Sequence, residues 1–279
     1  MAPAPQQVRK EISRYGARVA TVNTEREVIL STASLSMYFG GLAAIKGLDI
    51  AVRKGEIHGL IGPNGAGKTT FTNVVSGFLK PTEGKVFFDN ADISGFEPHL
   101  VVGLGLSRTF QRAQVFPRMT CLQNVMVGRH FKIKTGFLGT MLRPPFVRDA
   151  EEDETRDRAM KLLERVGLSA SSDRIATDLV WVECQLLQIA RSLMSEPKLL
   201  ILDEPTAGMG SDESDIIAGI IRQVRDSGVT VILIGHDVRL VMNNADWVTV
   251  INFGEKICEE TPGAVQCDAK VLEAYLGTQ

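Results

Sequence analysis

Residues 62–70 read Gly62-Pro63-Asn64-Gly65-Ala66-Gly67-Lys68-Thr69-Thr70. The first eight fill every position of the phosphate-binding pattern G-x-x-x-x-G-K-[ST]. Gly62, Gly65 and Gly67 allow the backbone to turn its N–H groups inward, in conformations that a Cβ would obstruct. Lys68 brings an ammonium to the β- and γ-phosphates of a nucleoside triphosphate, and the Thr69 hydroxyl is a ligand for Mg²⁺. Pro63, Asn64, Ala66 and Thr70 complete the set expected to contact nucleotide. Such a loop works only between a strand and a helix. Residues 57–61 read as a buried strand entering it, and 69–76 as a helix whose N-terminal dipole favours the anion.

Other residues could complete a nucleotide site. The apolar run 199–202 ends in Asp203 and Glu204, followed by Pro205. In a parallel sheet, ligands sit at the C-terminal strand edge, which lets Asp203 reach Mg²⁺ through its water shell. Glu204 is then placed to polarise an attacking water as general base. His236 follows the β-like run 229–234, where an imidazole can hydrogen-bond the γ-phosphate. Gln111 offers an amide oxygen to Mg²⁺ or water. Phe39, about two dozen residues before the loop, could stack on adenine; Tyr38 is the alternative, and core packing is the competing role for Phe39. The catalytic candidates are therefore Lys68, Glu204 and His236, and the metal candidates Thr69, Gln111 and Asp203.

The elements that must hold these residues follow from the hydrophobic pattern. The chain has 279 residues, 44% hydrophobic and 23% charged, enough for a sizeable core in one large or two closely joined soluble domains. A net charge of −2 gives no electrostatic basis for nucleic acid as the main partner. Cys121, Cys184, Cys258 and Cys267 show no metal-ligand spacing and read as reduced thiols of a cytosolic protein. No apolar stretch approaches the ~18–20 residues that span a bilayer. The N-terminal segment, with Arg9, Lys10, Arg14 and Arg18, lacks the apolar core of a secretory signal. It reads as a mobile basic tail, with a short amphipathic helix as the alternative. Strands are expected at 29–34, 44–52, 85–88, 198–202, 229–234 and 247–252, and helices at 149–165 and 216–224. Strand–helix alternation after the loop implies a largely parallel sheet covered by helices.

Together these residues resemble the ATP-binding cassette (ABC) family, and within it the ATPase subunits of LIV-type branched-chain amino acid importers. The resemblance rests on Phe39-Gly40-Gly41-Leu42, the phosphate loop, Ser76-Gly77-Phe78 and Ser107-Arg108-Thr109-Phe110-Gln111. It continues through Val115-Phe116-Pro117, the insert from Gly128 to about Leu163, Leu202-Asp203-Glu204-Pro205, His236-Asp237 and the ending Tyr275-Leu276-Gly277. It implies an α/β fold of the P-loop NTPase (RecA-like) type, with an antiparallel β subdomain and a helical subdomain at about 113–193. Residues 29–279 would form the nucleotide-binding domain, and 1–28 an extension. It further implies ATP and Mg²⁺ as ligands and ATP hydrolysis as the activity. The partners implied are a second ATPase subunit, a membrane permease and, indirectly, a solute-binding protein. That places the chain on the cytoplasmic face of the membrane. The rival readings are a regulatory subunit with little hydrolysis and a soluble non-transport cassette ATPase.

One segment departs from the pattern. Such proteins carry L-S-G-G-Q or L-S-Y-G-Q-Q before the helix leading to Ile189-Ala190-Arg191, and present it to the nucleotide held by the opposite subunit. Here the segment is Leu179-Val180-Trp181-Val182-Glu183-Cys184. Val180 lacks the hydroxyl, and Val182 adds a branched Cβ where glycine lets backbone approach. Glu183 would set a carboxylate near the phosphates. At ~6–8 Å and an effective dielectric of ~20, that repels each phosphate charge by about 2–3 kcal/mol. Gly210 also stands where Asn or Asp is usual. A heterodimer whose partner has an intact signature fits best, a homodimer being the alternative.

Overall fold

A computed structural model describes residues 27–111, 113–129, 150–235 and 237–276. The basic N-terminal segment, most of the insert and His236 lie outside them. In chain order the strands are β1 (Val28–Phe39), β2 (Leu42–Leu48), β3 (Ala51–Arg53), β4 (Ile57–Ile61), β5 (Glu83–Phe88), β6 (Ala91–Asp92), β7 (Leu106–Arg108), β8 (Leu199–Asp203), β9 (Thr230–Ile234), β10 (Trp247–Asn252) and β11 (Glu255–Glu260). The helices are α1 (Lys68–Val75), α2 (Pro98–Leu104), α3 (Cys121–Val127), α4 (Ala150–Arg165), α5 (Trp181–Leu193), α6 (Ser211–Asp226), α7 (Val238–Asn244), α8 (Pro262–Cys267) and α9 (Ala269–Leu276).

The strands form two sheets. The antiparallel one runs β2-β1-β5-β6, with β3 also on β1; the other runs β11-β10-β4-β9-β8-β7. In the second sheet every pairing from β10 through β7 is parallel, and β11 alone is antiparallel. All residues of β4, β8 and β9 are buried, as continuous apolar strands covered on both faces should be. Their side chains alternate between two cores. Leu200, Leu202, Val231 and Leu233 join the cluster under α3–α6, whereas Leu199, Ile201, Ile232 and Ile234 join the one containing Phe71, Val74 and the antiparallel sheet. Period-two geometry thus lets one sheet bind both layers.

Three differences from the expected elements have local causes. The run 44–52 splits into β2 and β3, because Thr32 draws it aside at Leu48–Ile50: its hydroxyl donates to the Leu48 carbonyl and accepts from Ile50 N–H. Helix α6 begins at Ser211, five residues before the apolar periodicity, with Asp212 and Glu213 in its first turn, where acidic groups suit the dipole. β6, β7 and β11 are short or edge strands whose mixed composition carries little β signal. The register explains what the sheet does for the site. Leu60 pairs with Ile234, and Asp203 with Ile234, so the ends of β4, β9 and β8 stand side by side.

Candidate functional site

The phosphate loop leaves the end of β4 and enters α1. Gly62 cannot be replaced without rearrangement, since a Cβ there would strike the Ile251 carbonyl oxygen. Gly67 adopts φ +106°, and a Cβ on it would lie 2.5 Å from the Ala44 carbonyl oxygen. Gly67 also begins α1 without a side-chain cap, which leaves the first helical N–H groups for a ligand. Lys68 is buried; its ammonium donates to the carbonyls of Gly62 at 2.7 Å and Pro63 at 3.0 Å. Burial pulls its pKa below the ordinary lysine value, against the opposing pull of Glu204 and Asp203. The loop walls a recess of about 600 Å³ lined by Asn64, Gly65, Ala66, Gly67, Lys68, Thr69, Thr70, Gln111 and Glu204, with Leu42, Ala43, Ala44 and Phe253 on the rim side.

The acidic pair comes from the neighbouring strand end. Asp203 is buried, and its Oδ2 accepts from Arg108 at 3.3 Å. Burial pushes its carboxyl above the ordinary value, with Arg108 opposing that rise. Glu204 has φ +49°, a left-handed conformation uncommon outside glycine. Its N–H donates to the Ile234 carbonyl at 2.7 Å, which ties β8 to β9 beyond the ladder. Gln111 reaches the same corner and donates from Nε2 to Glu204 Oε2 at 2.7 Å. Among the described residues no group of three or more His, Cys, Asp or Glu could hold a metal by itself. Mg²⁺ keeps several waters and takes one or two protein oxygens plus phosphate. Thr69 and Gln111 offer two such oxygens on the recess wall, with the Asp203 carboxylate buried next to Glu204.

Of the predicted residues, loop residues 64–70, Gln111 and Glu204 share one recess, with Asp203 buried beside Glu204 and Gly62 and Pro63 behind it. Pro63 serves through its carbonyl. Phe39 is a different case. It is 47% exposed at the end of β1 and paired with Leu42, so core packing is not its role. Yet Leu42 and Ala43 take the recess wall in its place, and Tyr38 does not line it either. His236 lies outside the described residues. Sequence reasoning missed Phe253, which lines the recess, is 83% exposed and holds φ +47° at the β10–β11 turn. An aromatic residue before a turn glycine was the available signal. It also missed Tyr275, whose hydroxyl burial pushes up to about 12 against the opposing hydrogen bond to the Gly62 backbone.

The altered signature segment begins α5, and here two expectations need correction. Glu183 does not project as a bare carboxylate. Its Oε2 accepts the Val180 N–H at 3.0 Å, and it pairs with Arg174 at 2.9 Å. An ion pair that close cancels most of the field at several ångströms, so the expected repulsion of phosphate largely disappears. Val182 is partly buried and packs against the core cluster, so its branched Cβ is not fully presented outward. Val180 and Trp181 are the exposed residues, and the Trp181 indole donates to the Ala207 carbonyl at 3.0 Å.

A second cavity, of about 580 Å³, opens between α2, β7 and the helical region. Its walls include Phe78, Val102, Leu106, Phe110, Val115 and Phe116, with Arg108 and Arg191 among them. Phe78 and Phe116 are substantially exposed.

Comparison with known proteins agrees with this geometry. The family model described as ABC transporter matches residues 45–207. The high-affinity branched-chain amino acid transport ATP-binding protein BraF of Pseudomonas aeruginosa is 38% identical over 250 residues, covering 89% of this chain and 98% of BraF. The probable branched-chain amino acid transport ATP-binding protein LivG of Methanocaldococcus jannaschii is 36% identical over 255 residues, with 89% and 97% coverage. A crystal structure of an ABC-transporter ATP-binding cassette in its ADP conformation superposes with a TM-score of 0.79 at 34% identity, covering 90% of this chain and all of that one. The chain belongs to the ABC transporter family and is one of its ATPase cassettes.

Proposed function

We propose that this chain is the ATP-hydrolysing subunit of an importer that moves branched-chain amino acids, or related small polar solutes, through a membrane permease. The observation that carries the reading is the convergence of Lys68, Thr69, Gln111 and Glu204 on one recess, with Asp203 beside it. The domain reading is 29–279 as nucleotide-binding domain, about 113–193 as helical subdomain and 1–28 as extension. No helix among the described residues is long and apolar enough to cross a membrane. A peripheral place on the cytoplasmic face, attached through the permease, fits that. The apolar cavity beside β7 is a suitable seat for a permease segment, because exposed Phe78 and Phe116 gain from being covered.

The chemistry divides among the residues as follows. Loop N–H groups and the Lys68 ammonium hold the β- and γ-phosphates and stabilise the charge that develops on them. Thr69, Gln111 and Asp203 would hold Mg²⁺, which neutralises phosphate charge when bound. Glu204 orients and deprotonates the attacking water, and the hydrogen bond from Gln111 keeps its carboxylate aimed into the recess. His236 is assigned the γ-phosphate, and the exposed ring of Phe39 the base. Val180 offers no hydroxyl to the nucleotide of an opposed cassette. This favours a heterodimer in which the partner supplies an intact signature to the site described here.

The test is co-expression with a candidate permease and second cassette, followed by ATP hydrolysis and amino acid uptake in vesicles. Solute-dependent turnover that disappears in Glu204→Gln is the expected result. Hydrolysis without a co-purifying polytopic membrane protein would favour a soluble cassette ATPase. Nucleotide binding with no turnover in the full complex would favour a regulatory subunit.

A further inference from the structure

Arg108 ends β7 with its side chain only 7% exposed, and the two Nη atoms of its guanidinium are committed to different neighbours. One Nη donates to Asn73 Oδ1 at 2.7 Å and Ser76 Oγ at 3.0 Å, both on the segment that follows the phosphate loop. The other donates to Asp203 Oδ2 at 3.3 Å. The guanidinium carbon lies 4.9 Å from the Phe110 ring centroid and 5.6 Å from that of Phe78, and those rings meet edge-on at 5.8 Å. Nε has no hydrogen-bond partner among the described residues. A planar fork held by three acceptors and two aromatic rings has little freedom. Asp203, by contrast, is a buried carboxylate whose Oδ2 has this guanidinium as its charged partner. Phe78, Phe110 and Arg108 also line the apolar cavity, so the same guanidinium borders both that cavity and the site.

We propose that Arg108 is a positioning residue that sets the Asp203 carboxylate for the metal ion, and that its Phe78–Phe110 clamp makes that setting sensitive to the walls of the apolar cavity. The proposal rests on the ATPase reading above. Removing the fork leaves Asp203 free to rotate away from the recess. Loosening the clamp lets the guanidinium shift and carries the carboxylate with it. Neither change alters a residue of the loop that grips the phosphates; losing the fork also releases Asn73 and Ser76 behind it, an effect that the EDTA arm reads.

The experiment measures binding of a fluorescent ATP analogue by the full chain, in EDTA and across a Mg²⁺ titration, with circular dichroism melting as the folding check. For Arg108→Met we expect affinity in EDTA within about twofold of wild type, and a Mg²⁺ midpoint raised about tenfold. Arg108→Lys keeps the charge but loses the fork, and is expected to raise the midpoint about threefold. Phe110→Leu should raise it about twofold to threefold. An unchanged midpoint in folded Arg108→Met would overturn the assignment. If that variant does not fold, an unchanged midpoint in Arg108→Lys does the same. An unchanged midpoint in Phe110→Leu overturns the link to the cavity. A wild-type chain that binds no nucleotide at all would defeat the parent reading, and is told apart by the EDTA arm.

Discussion

Val180→Ser should change both stability and turnover, and the structure says by how much. Val180 is the extended residue that begins α5, and it is 60% exposed. Glu183 already accepts its N–H at 3.0 Å. The reciprocal bond, from the Glu183 N–H back to the side chain at 180, is missing because valine has no acceptor. Serine supplies one and completes the reciprocal pair of a capping box. Helix caps of this kind contribute about 0.5–2 kcal/mol, and little burial is lost at so exposed a position. Taking ~1 kcal/mol, and ~2–4 °C per kcal/mol for a domain of about this size, the melting temperature should rise by about 2–4 °C. A capping hydroxyl accepts through a lone pair and keeps its proton, which remains available to the phosphate of an opposed cassette. Losing one transition-state donor costs ~3–4 kcal/mol in known cases. Recovering ~1.4 kcal/mol of that would raise homodimer turnover about tenfold. Val182→Gly should not be added, because Val182 packs on the core and glycine near a helix start removes that contact. Scanning calorimetry and steady-state phosphate release at saturating MgATP measure the two effects. An unchanged or lower melting temperature refutes the half-formed cap. A raised melting temperature with unchanged turnover refutes the account of unequal sites.

Lys68→Ala should abolish tight MgATP binding in a folded protein, read with a fluorescent ATP analogue and circular dichroism. Glu204→Gln should bind ATP and lose at least about a hundredfold in turnover, the low end for a general base; size exclusion with ATP should show the trapped dimer. For Tyr275 the folded-state pKa of about 12 stands above its ordinary 10. Its contribution is therefore fully present below pH 10 and is lost as pH rises toward 12. The melting temperature of wild type should fall more steeply than that of Tyr275→Phe over that interval, and parallel curves would refute the burial of the Tyr275 hydroxyl.

Much of the site could be read from local sequence. The phosphate loop, the apolar run ending at Asp203 and Glu204, and Gln111 each sit where chain geometry leaves little choice: glycines where a Cβ collides, and carboxylates at the end of a buried strand. Strands 57–61 and 247–252 come out residue for residue, because continuous apolar runs bounded by turns have one good solution in a parallel sheet. Where long-range contacts decide, sequence gives less. Nothing near Glu183 announces that Arg174 pairs with it, or that Val182 packs on the core cluster; both follow from how α5 docks on the core. Arg108 shows no more than a basic residue two positions before an aromatic one, and Phe253 no more than a turn. Their neighbours, Asp203 for one and the phosphate loop for the other, are distant in sequence and meet only when β7, β8 and β10 take their places in the sheet. Local residues fixed which atoms can do chemistry here. Strand order and register fixed which of those atoms share a recess, because a side chain's partners across a sheet depend on pairings that no single stretch of sequence contains.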